Sequence, residues 1–268
     1  METLKERMII IKGAGEMASG IACRLHRSGF RRLLMLETSF PLAVRREVSF
    51  CEAVHDGQKA VEGIEAVRIE DSAGLAQAWE REMIAVMVDP EGDTVRRMQP
   101  DILIDATIAK RNLGTAKTDA PLVIALGPGF TAGADCHVVI ETNRGHNLGR
   151  LIGAGQAEAN TGIPGNIGGF TRERVLRAKA DAVFTAVRKI GDQVARGEVI
   201  GQVGGEAVTA SIDGILRGLI RPDSQVTTGL KIGDIDPRGD AAYCHKVSEK
   251  ARALGGSVLE AILSLYNR

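Results

Sequence analysis

The chain has 268 residues, with 34 Lys plus Arg against 34 Asp plus Glu and a formal net charge of zero. Hydrophobic residues make up 44% and aromatic ones 3%, so a core must come from Val, Ile, Leu and Ala. No basic stripe supports nucleic-acid binding, and no apolar run approaches the roughly 20 residues of a membrane span.

The segment Met1–Arg7 carries charges of both signs and no apolar stretch, so no signal peptide is read there and the cytoplasm is the expected compartment. Met8–Lys12 is a short apolar run that reads as a buried parallel strand. It ends in the turn Gly13-Ala14-Gly15-Glu16-Met17-Ala18-Ser19-Gly20. Met17, Ile21 and Leu25 then recur at helical spacing until Gly29. Leu33–Leu36 is a second buried strand ending in Glu37, and Pro41 to Val48 reads as a loop or short helix. Val61 to Ile69 reads as one strand, and Asp71 or Ser72 caps a helix carrying Leu75 and Trp79. Further strands are expected at Ile84–Val88, Ile102–Asp105, Leu122–Leu126 and Cys136–Ile140.

Beyond residue 153 the composition changes. Six glycines between Gly153 and Gly169 leave neither a helical nor a strand period, as in a linker or a site loop. Residues 171 to about 237 hold short β-rich pieces broken by Gly-Asp and Asp-Gly turns. From about Cys244 to Tyr266 helical spacing returns, with Gly255-Gly256 read as an interruption. The expected fold is α/β. A Rossmann-like doubly wound sheet (1–152) and a Gly-rich linker or site loop (153–170) precede a small all-β domain like the barrel-sandwich hybrid (171–240). A C-terminal helical segment (241–268) follows. The carrier lysine of biotinyl and lipoyl domains is missing, because its hairpin reads Val203-Gly204-Gly205-Glu206-Ala207-Val208.

Gly13-x-Gly15-x-x-Ala18, between a strand and a helix, has the form of a dinucleotide turn. Its glycines let bare backbone and a helix N-terminus meet a pyrophosphate. Gly13, Ala14, Gly15, Glu16, Met17 and Ala18 are therefore candidate nucleotide contacts. Glu37, 22 residues after Gly15, is placed to accept hydrogen bonds from a ribose. Glu16 suits the helix dipole but would repel a phosphate. The rival reading is a turn that only packs a helix on a sheet.

Other candidates lie after strands, where open α/β sheets bind ligands. They are Asp105, Thr107 and Lys110, the Gly127–Gly133 loop with Gly127 and Gly129 as an anion nest, and His146 as an acid or base. Arg45 and Arg46 are candidate phosphate forks, against a solvated basic pair. His137 reads as a hydrogen-bonded structural residue. The four cysteines, Cys23, Cys51, Cys136 and Cys244, lack metal-ligand spacing. No metal site is expected. Cys23 sits on an apolar helix face and reads as core, while Cys51, the thiol nearest the suspected pocket outside that helix, is a carrier candidate against packing as a small hydrophobe.

Several blocks together resemble one family. They are Lys12–Gly15, Pro41–Phe50, Asp105–Asn112, Ala125–Gly133, Ile140–His146, Asn160–Gly165 and Leu230–Pro237. The chain resembles the YqeB-type accessory proteins of selenium-dependent molybdenum hydroxylases, themselves distantly similar to XdhC-type proteins. The resemblance implies a maturation factor with the hydroxylase apoprotein as partner. Its ligand would be a small nucleotide-containing molecule, NAD(P) or the molybdenum cofactor in dinucleotide form. Two alternatives stand beside it: an NAD(P)-dependent oxidoreductase, against which no Tyr-x-x-x-Lys pair is present, and a non-catalytic scaffold that docks the hydroxylase. A homodimer is one assembly the sequence leaves open.

Overall fold

Ile9, Ile10 and Ile11 are fully buried and form most of β1 (Ile9–Lys12). The structure, a computed structural model, describes residues 4–267. It divides into two units: Met1–Pro41, Ser49–Asn160 and Val247–Arg268 in the first, Leu42–Val48 and Thr161–Lys246 in the second. Among the described residues no helix is long and apolar enough to cross a membrane.

In the first unit, β1 leads into α1 (Glu16–Arg27) and β2 (Leu33–Glu37). After α2 (Ala53–Asp56), a hairpin of β3 (Gln58–Val61) and β4 (Ile64–Ile69) occupies the stretch expected to be one strand. Its turn falls at Glu62-Gly63, both at positive φ. The Asp71 carboxylate caps α3 (Ser72–Glu80) by accepting the Gly74 N–H. Then come β5 (Ile84–Val88), α4 (Asp93–Met98), β6 (Ile102–Asp105) and β7 (Leu122–Leu126). Short strands β8 (Thr131–Ala132), β9 (Val138–Ile140), β10 (Leu151–Ile152) and β11 (Gly155–Gln156) follow.

Nine of these strands form one sheet in the order β10-β9-β7-β6-β1-β2-β5-β4-β3. From β9 to β4 all neighbours are parallel, and β10 and β3 add antiparallel edges. The expected doubly wound Rossmann-like sheet is corrected here. The connection from β6 to β7 holds only the 3-10 turn Lys117–Asp119, and that from β7 to β9 only β8. On this half of the sheet, helical cover comes from the far end of the chain. There α5 (Glu249–Tyr266) packs on α1 and reaches β7 and β9. The C-terminal helix thus belongs to the first unit.

Gly255-Gly256 does not interrupt α5, because α1 and α5 cross where glycine is required. A Cβ on Gly20 would lie 2.7 Å from the Ala251 Cβ, and one on Gly255 would lie 3.1 Å from the Gly20 carbonyl oxygen. Interior glycines weaken a helix, but Gly20 of α1 and Gly255 of α5 let the two backbones approach.

The second unit contains β12 (Val175–Arg177), β13 (Ala182–Ala186), β14 (Gln193–Val194), β15 (Val199–Val203), β16 (Glu206–Thr209), β17 (Gly214–Leu219), β18 (Gln225–Val226) and β19 (Lys231–Asp236). They make two four-stranded sheets, β12-β19-β17-β14 and β16-β15-β13-β18. Every pairing is antiparallel and neither sheet closes on itself. This corrects the expected barrel-sandwich-hybrid-like domain. Phe184, Ile200, Val203, Leu216, Ile232 and Ile235 form its core. The β15–β16 hairpin turns at Gly204-Gly205, with φ of 58° and 86°, as a tight two-residue hairpin demands.

A buried ionic cluster ties this unit together. Asp234 and Asp236, two residues apart, share one face of β19. The pairing of β17 with β19 slips between Leu216 and Gly218, which leaves Arg217 in a bulge. A bulge re-aims a side chain. Here the Arg217 Nη1 reaches the Asp236 Oδ2 at 2.9 Å and its Nε the Asp234 Oδ2 at 2.9 Å. Arg174 also binds Asp234 and donates through Nη2 to the Gly165 carbonyl at 2.9 Å, which anchors the Gly-rich segment.

Candidate functional site: the crevice at the end of β1 and β6

Strand order reverses at β1. The chain moves outward to β2 on one side, and later to β6, β7 and β9 on the other. In open α/β sheets such a reversal leaves a crevice beyond the carboxyl ends of the two neighbouring strands. At this point Gly13 has φ +91°, and a Cβ there would lie 3.2 Å from the Ala106 carbonyl oxygen and 3.3 Å from the Thr107 Cα. The next loops close up the same way. A Cβ on Gly129 would lie 2.5 Å from the Arg111 Cα, and one on Gly127 2.6 Å from the Thr142 Oγ1. Loops after β1, β6, β7 and β9 therefore abut along one edge.

Strand-terminal carboxylates hold these loops by taking their backbone N–H groups. Glu37, at the end of β2, accepts the Ala14 N–H (2.8 Å) and the Thr38 N–H (2.8 Å). Glu141, buried just after β9, accepts from Asn143 (2.6 Å) and Glu158 (2.7 Å). After β5, Asp89 takes the Thr94 N–H at 2.7 Å. The expectation that Glu37 waits for a ribose therefore meets a competing task, since one oxygen already braces the glycine turn.

Glu16 is engaged by the start of α5. Its Oε1 accepts the Ser248 N–H at 3.1 Å, at the start of α5. Lys250, two residues on, lies within electrostatic reach of Glu16, Glu141 and Arg144. Burial lowers the Lys250 pKa, and Arg144 adds to that, against Glu16, Glu141 and Glu249. Arg144 also pairs with Glu249.

In the floor, Lys12 and Asp105 are direct partners across β1 and β6. The Lys12 Nζ donates to the Thr115 Oγ1 (2.8 Å), whose hydroxyl donates to the Asp105 Oδ2 (2.6 Å). The Thr107 hydroxyl donates to the Asp105 Oδ1 at 2.7 Å. Asp105 is 1% exposed and Thr115 3%. The chain Lys12–Thr115–Asp105–Thr107 thus holds a cation and a carboxylate through a shared hydroxyl. Sequence reasoning missed Lys12, Thr115 and Lys250. A lysine ending an otherwise wholly apolar strand was the available signal for the first; Thr115 and Lys250 carried none.

Around the crevice the structure brings together Gly13, Ala14, Gly15, Glu37, Asp105 and Thr107. Met17 is half-buried and Ala18 buried in the first turns of α1. Gly127 and Gly129 form the adjoining loop contacts. Lys110 sits at φ +63° and is exposed, as is His146 in the β9–β10 loop. His137 accepts the Val123 N–H on Nδ1 at 2.9 Å, the structural role read for it. Arg45 and Arg46 belong to the second unit. There the Arg45 Nη2 donates to the Tyr243 (2.8 Å) and Lys246 (2.9 Å) carbonyls, and the Arg46 Nε to the Leu219 carbonyl (2.8 Å).

All four thiols are buried. Burial pushes Cys23 up to about 12 and Cys136 to about 11, and raises Cys51 well above the ordinary range. A thiolate is the nucleophile, so Cys51 is poorly suited to carry sulfur or selenium in this conformation. Native protein at pH 7.5 is expected to resist iodoacetamide at all four cysteines and to label at all four in denaturant. Rapid native labelling of Cys51, read by mass spectrometry, would contradict this. Among the described residues no group of three or more His, Cys, Asp or Glu is placed to hold a metal ion.

Among solved structures, "TcdA (CsdL)" is 12% identical, with coverage of 98% of this chain and 88% of that one and a TM-score of 0.34. A succinylglutamate desuccinylase/aspartoacylase from Rhodobacter sphaeroides is 13% identical, with coverage of 88% and 87% and a TM-score of 0.27. No family model matches the chain. In sequence it is similar to the uncharacterized protein YqeB of Escherichia coli (strain K12), 48% identical over 262 residues. That match covers 98% of this chain and 48% of YqeB, so the chain spans about half the length of this curated relative.

Proposed function

We propose that the first unit binds a nucleotide-containing small molecule in the β1/β6 crevice, and that the chain serves as an accessory protein in the maturation of a selenium-dependent molybdenum hydroxylase. The observation that carries the binding reading is the space at Gly15. A Cβ there would meet no atom within 4 Å, while Gly13 beside it is pressed against Ala106 and Thr107. The turn is braced underneath and open above, as a backbone approached by a pyrophosphate needs to be. The accessory role rests on the sequence blocks that resemble YqeB-type proteins; the similarity to the uncharacterized protein YqeB supports that resemblance and carries no role of its own. The dinucleotide form of the molybdenum cofactor contains the pyrophosphate that such a turn takes.

No bond-making step is assigned to the crevice. An oxidoreductase reading gains nothing from the tyrosines. The Tyr266 hydroxyl donates to the Asp101 carbonyl (3.1 Å), just before β6 and so at the opposite edge of the sheet. Tyr243 lies in the second unit under the Arg238 guanidinium.

The test is native mass spectrometry of the chain purified from a host that makes molybdenum cofactor, with Gly15→Val alongside wild type. The expected result is a retained nucleotide or pterin-nucleotide mass in wild type, absent from Gly15→Val, with matching circular dichroism and melting temperature. Equal retention by the variant removes the ligand from this turn, and reduced-nicotinamide turnover returns the oxidoreductase.

A further inference from the structure

We infer that the second unit carries its own binding site for a small organic phosphate, in a cleft where edge strands of its two sheets meet. β12 ends one sheet and β16 ends the other. A cavity of about 640 Å³ lies along them, within the range of small-molecule pockets. Its charged lining residues are Arg172, Arg177 and Lys179, all basic, and Thr209 and Ser211 add hydroxyls. The whole chain is neutral, so three cations around one cleft with no acid in its lining is a local concentration of charge. Arg177 and Lys179 lie two apart in sequence, flanking the buried Ala178.

Two of the cations are held in place. The Arg177 Nη1 donates to the Gly229 carbonyl at 2.7 Å and the Lys179 Nζ to the Ala207 carbonyl at 3.1 Å. An arginine has five N–H donors and a lysine three, so each keeps donors for an anion after anchoring itself. Guanidinium and ammonium groups beside hydroxyls form the donor set for a phosphate. Apolar side chains of Val175, Leu176 and Val208 complete the lining and offer a surface to the organic body. A carboxylate alone would use one fork, whereas a phosphate monoester presents three oxygens to three cations. The site is independent of the β1/β6 crevice, since all its lining residues belong to the second unit.

The probe is AMP, with inorganic phosphate and adenosine as separate arms, titrated calorimetrically into the full chain carrying Gly15→Val so that the crevice is silenced. The expected result is saturable AMP binding, weaker binding of phosphate and none of adenosine. Arg177→Ala/Lys179→Ala should weaken AMP binding at least tenfold, and Arg172→Glu, an exposed charge reversal, should do the same. Both variants should keep the parent melting temperature, because the altered side chains are exposed. AMP binding unchanged in both variants overturns the proposal, as does absence of saturable AMP and phosphate binding in the Gly15→Val parent. Equal binding of adenosine and AMP also overturns it, because the cations would then contribute nothing.

Discussion

Replacing Asp234 by alanine is expected to destabilise the second unit by about 3–5 kcal/mol, the usual cost of removing one member of a buried ion pair. Asp234 is 1% exposed and accepts from Arg174 and Arg217, which are 5% and 7% exposed. Without it, Arg174 keeps only the Gly165 carbonyl and Arg217 only Asp236 among the partners described above. Reversing the loss with an isosteric amide should be partial, since Asn restores an acceptor but not the charge. The cluster also has a pH signature. Burial alone would raise the Asp234 carboxyl, but Lys231, Arg217 and Arg174 together hold it below its ordinary 3.8. Asp236 is likewise lowered: burial raises it, and the Arg238 hydrogen bonds with the Arg217 and Arg238 charges together outweigh that. Between the lowered folded values and 3.8 the unfolded chain binds more protons, so stability rises with pH there. The contribution is complete above about pH 5 and is lost as pH falls through the folded values. Urea midpoints from pH 6 down to pH 3 should therefore fall for wild type and fall less steeply for Asp234→Ala. Parallel slopes would mean that Asp234 is not the titrating group.

The parts legible in sequence were those whose partners are near in the chain. The apolar runs at Ile9–Lys12, Leu33–Leu36, Ile102–Ile104 and Leu122–Leu126 could only be buried strands, and Gly13–Gly15 between a strand and a helix could only be a tight turn. Harder features depended on distant partners. Glu62-Gly63 split one expected strand into a hairpin, because two left-handed residues outweighed the β-branched content around them. The doubly wound expectation assumed that each crossover would bring its own helix, whereas α5 supplies the cover from more than a hundred residues away in sequence. The carboxylates misled in a different way. Glu16 and Glu37 read as groups facing a ligand, yet each is taken up at least in part by backbone N–H groups whose positions only the folded loops define. Arg45 and Arg46 follow β2 in sequence, but Leu42–Val48 leaves the first unit altogether.

α1 and α5 pack closely at Gly20, and Gly20→Leu is expected to break that crossing at a net cost of about 1 kcal/mol or more. Leucine is the better helix former by somewhat under about 1 kcal/mol, so propensity alone predicts a gain. Against it stands geometry. The new Cβ would lie 2.7 Å from the Ala251 Cβ and 3.2 Å from the Ala251 carbonyl carbon and oxygen. Backbone atoms cannot swing aside, so the helices must separate, and overpacking of this kind costs about 1–3 kcal/mol or occasionally more. Separation would also draw Ser248 away from Glu16, so that hydrogen bond should be lost along with the fall in urea midpoint. Gly256→Ala supplies the opposite expectation on the same pair of helices. A Cβ there meets no atom within 4 Å, and relief of glycine's entropy should add about 0.5–1 kcal/mol. If both substitutions moved the midpoint upward, propensity would be governing α1 and α5, and the close approach at Gly20 would not exist in solution.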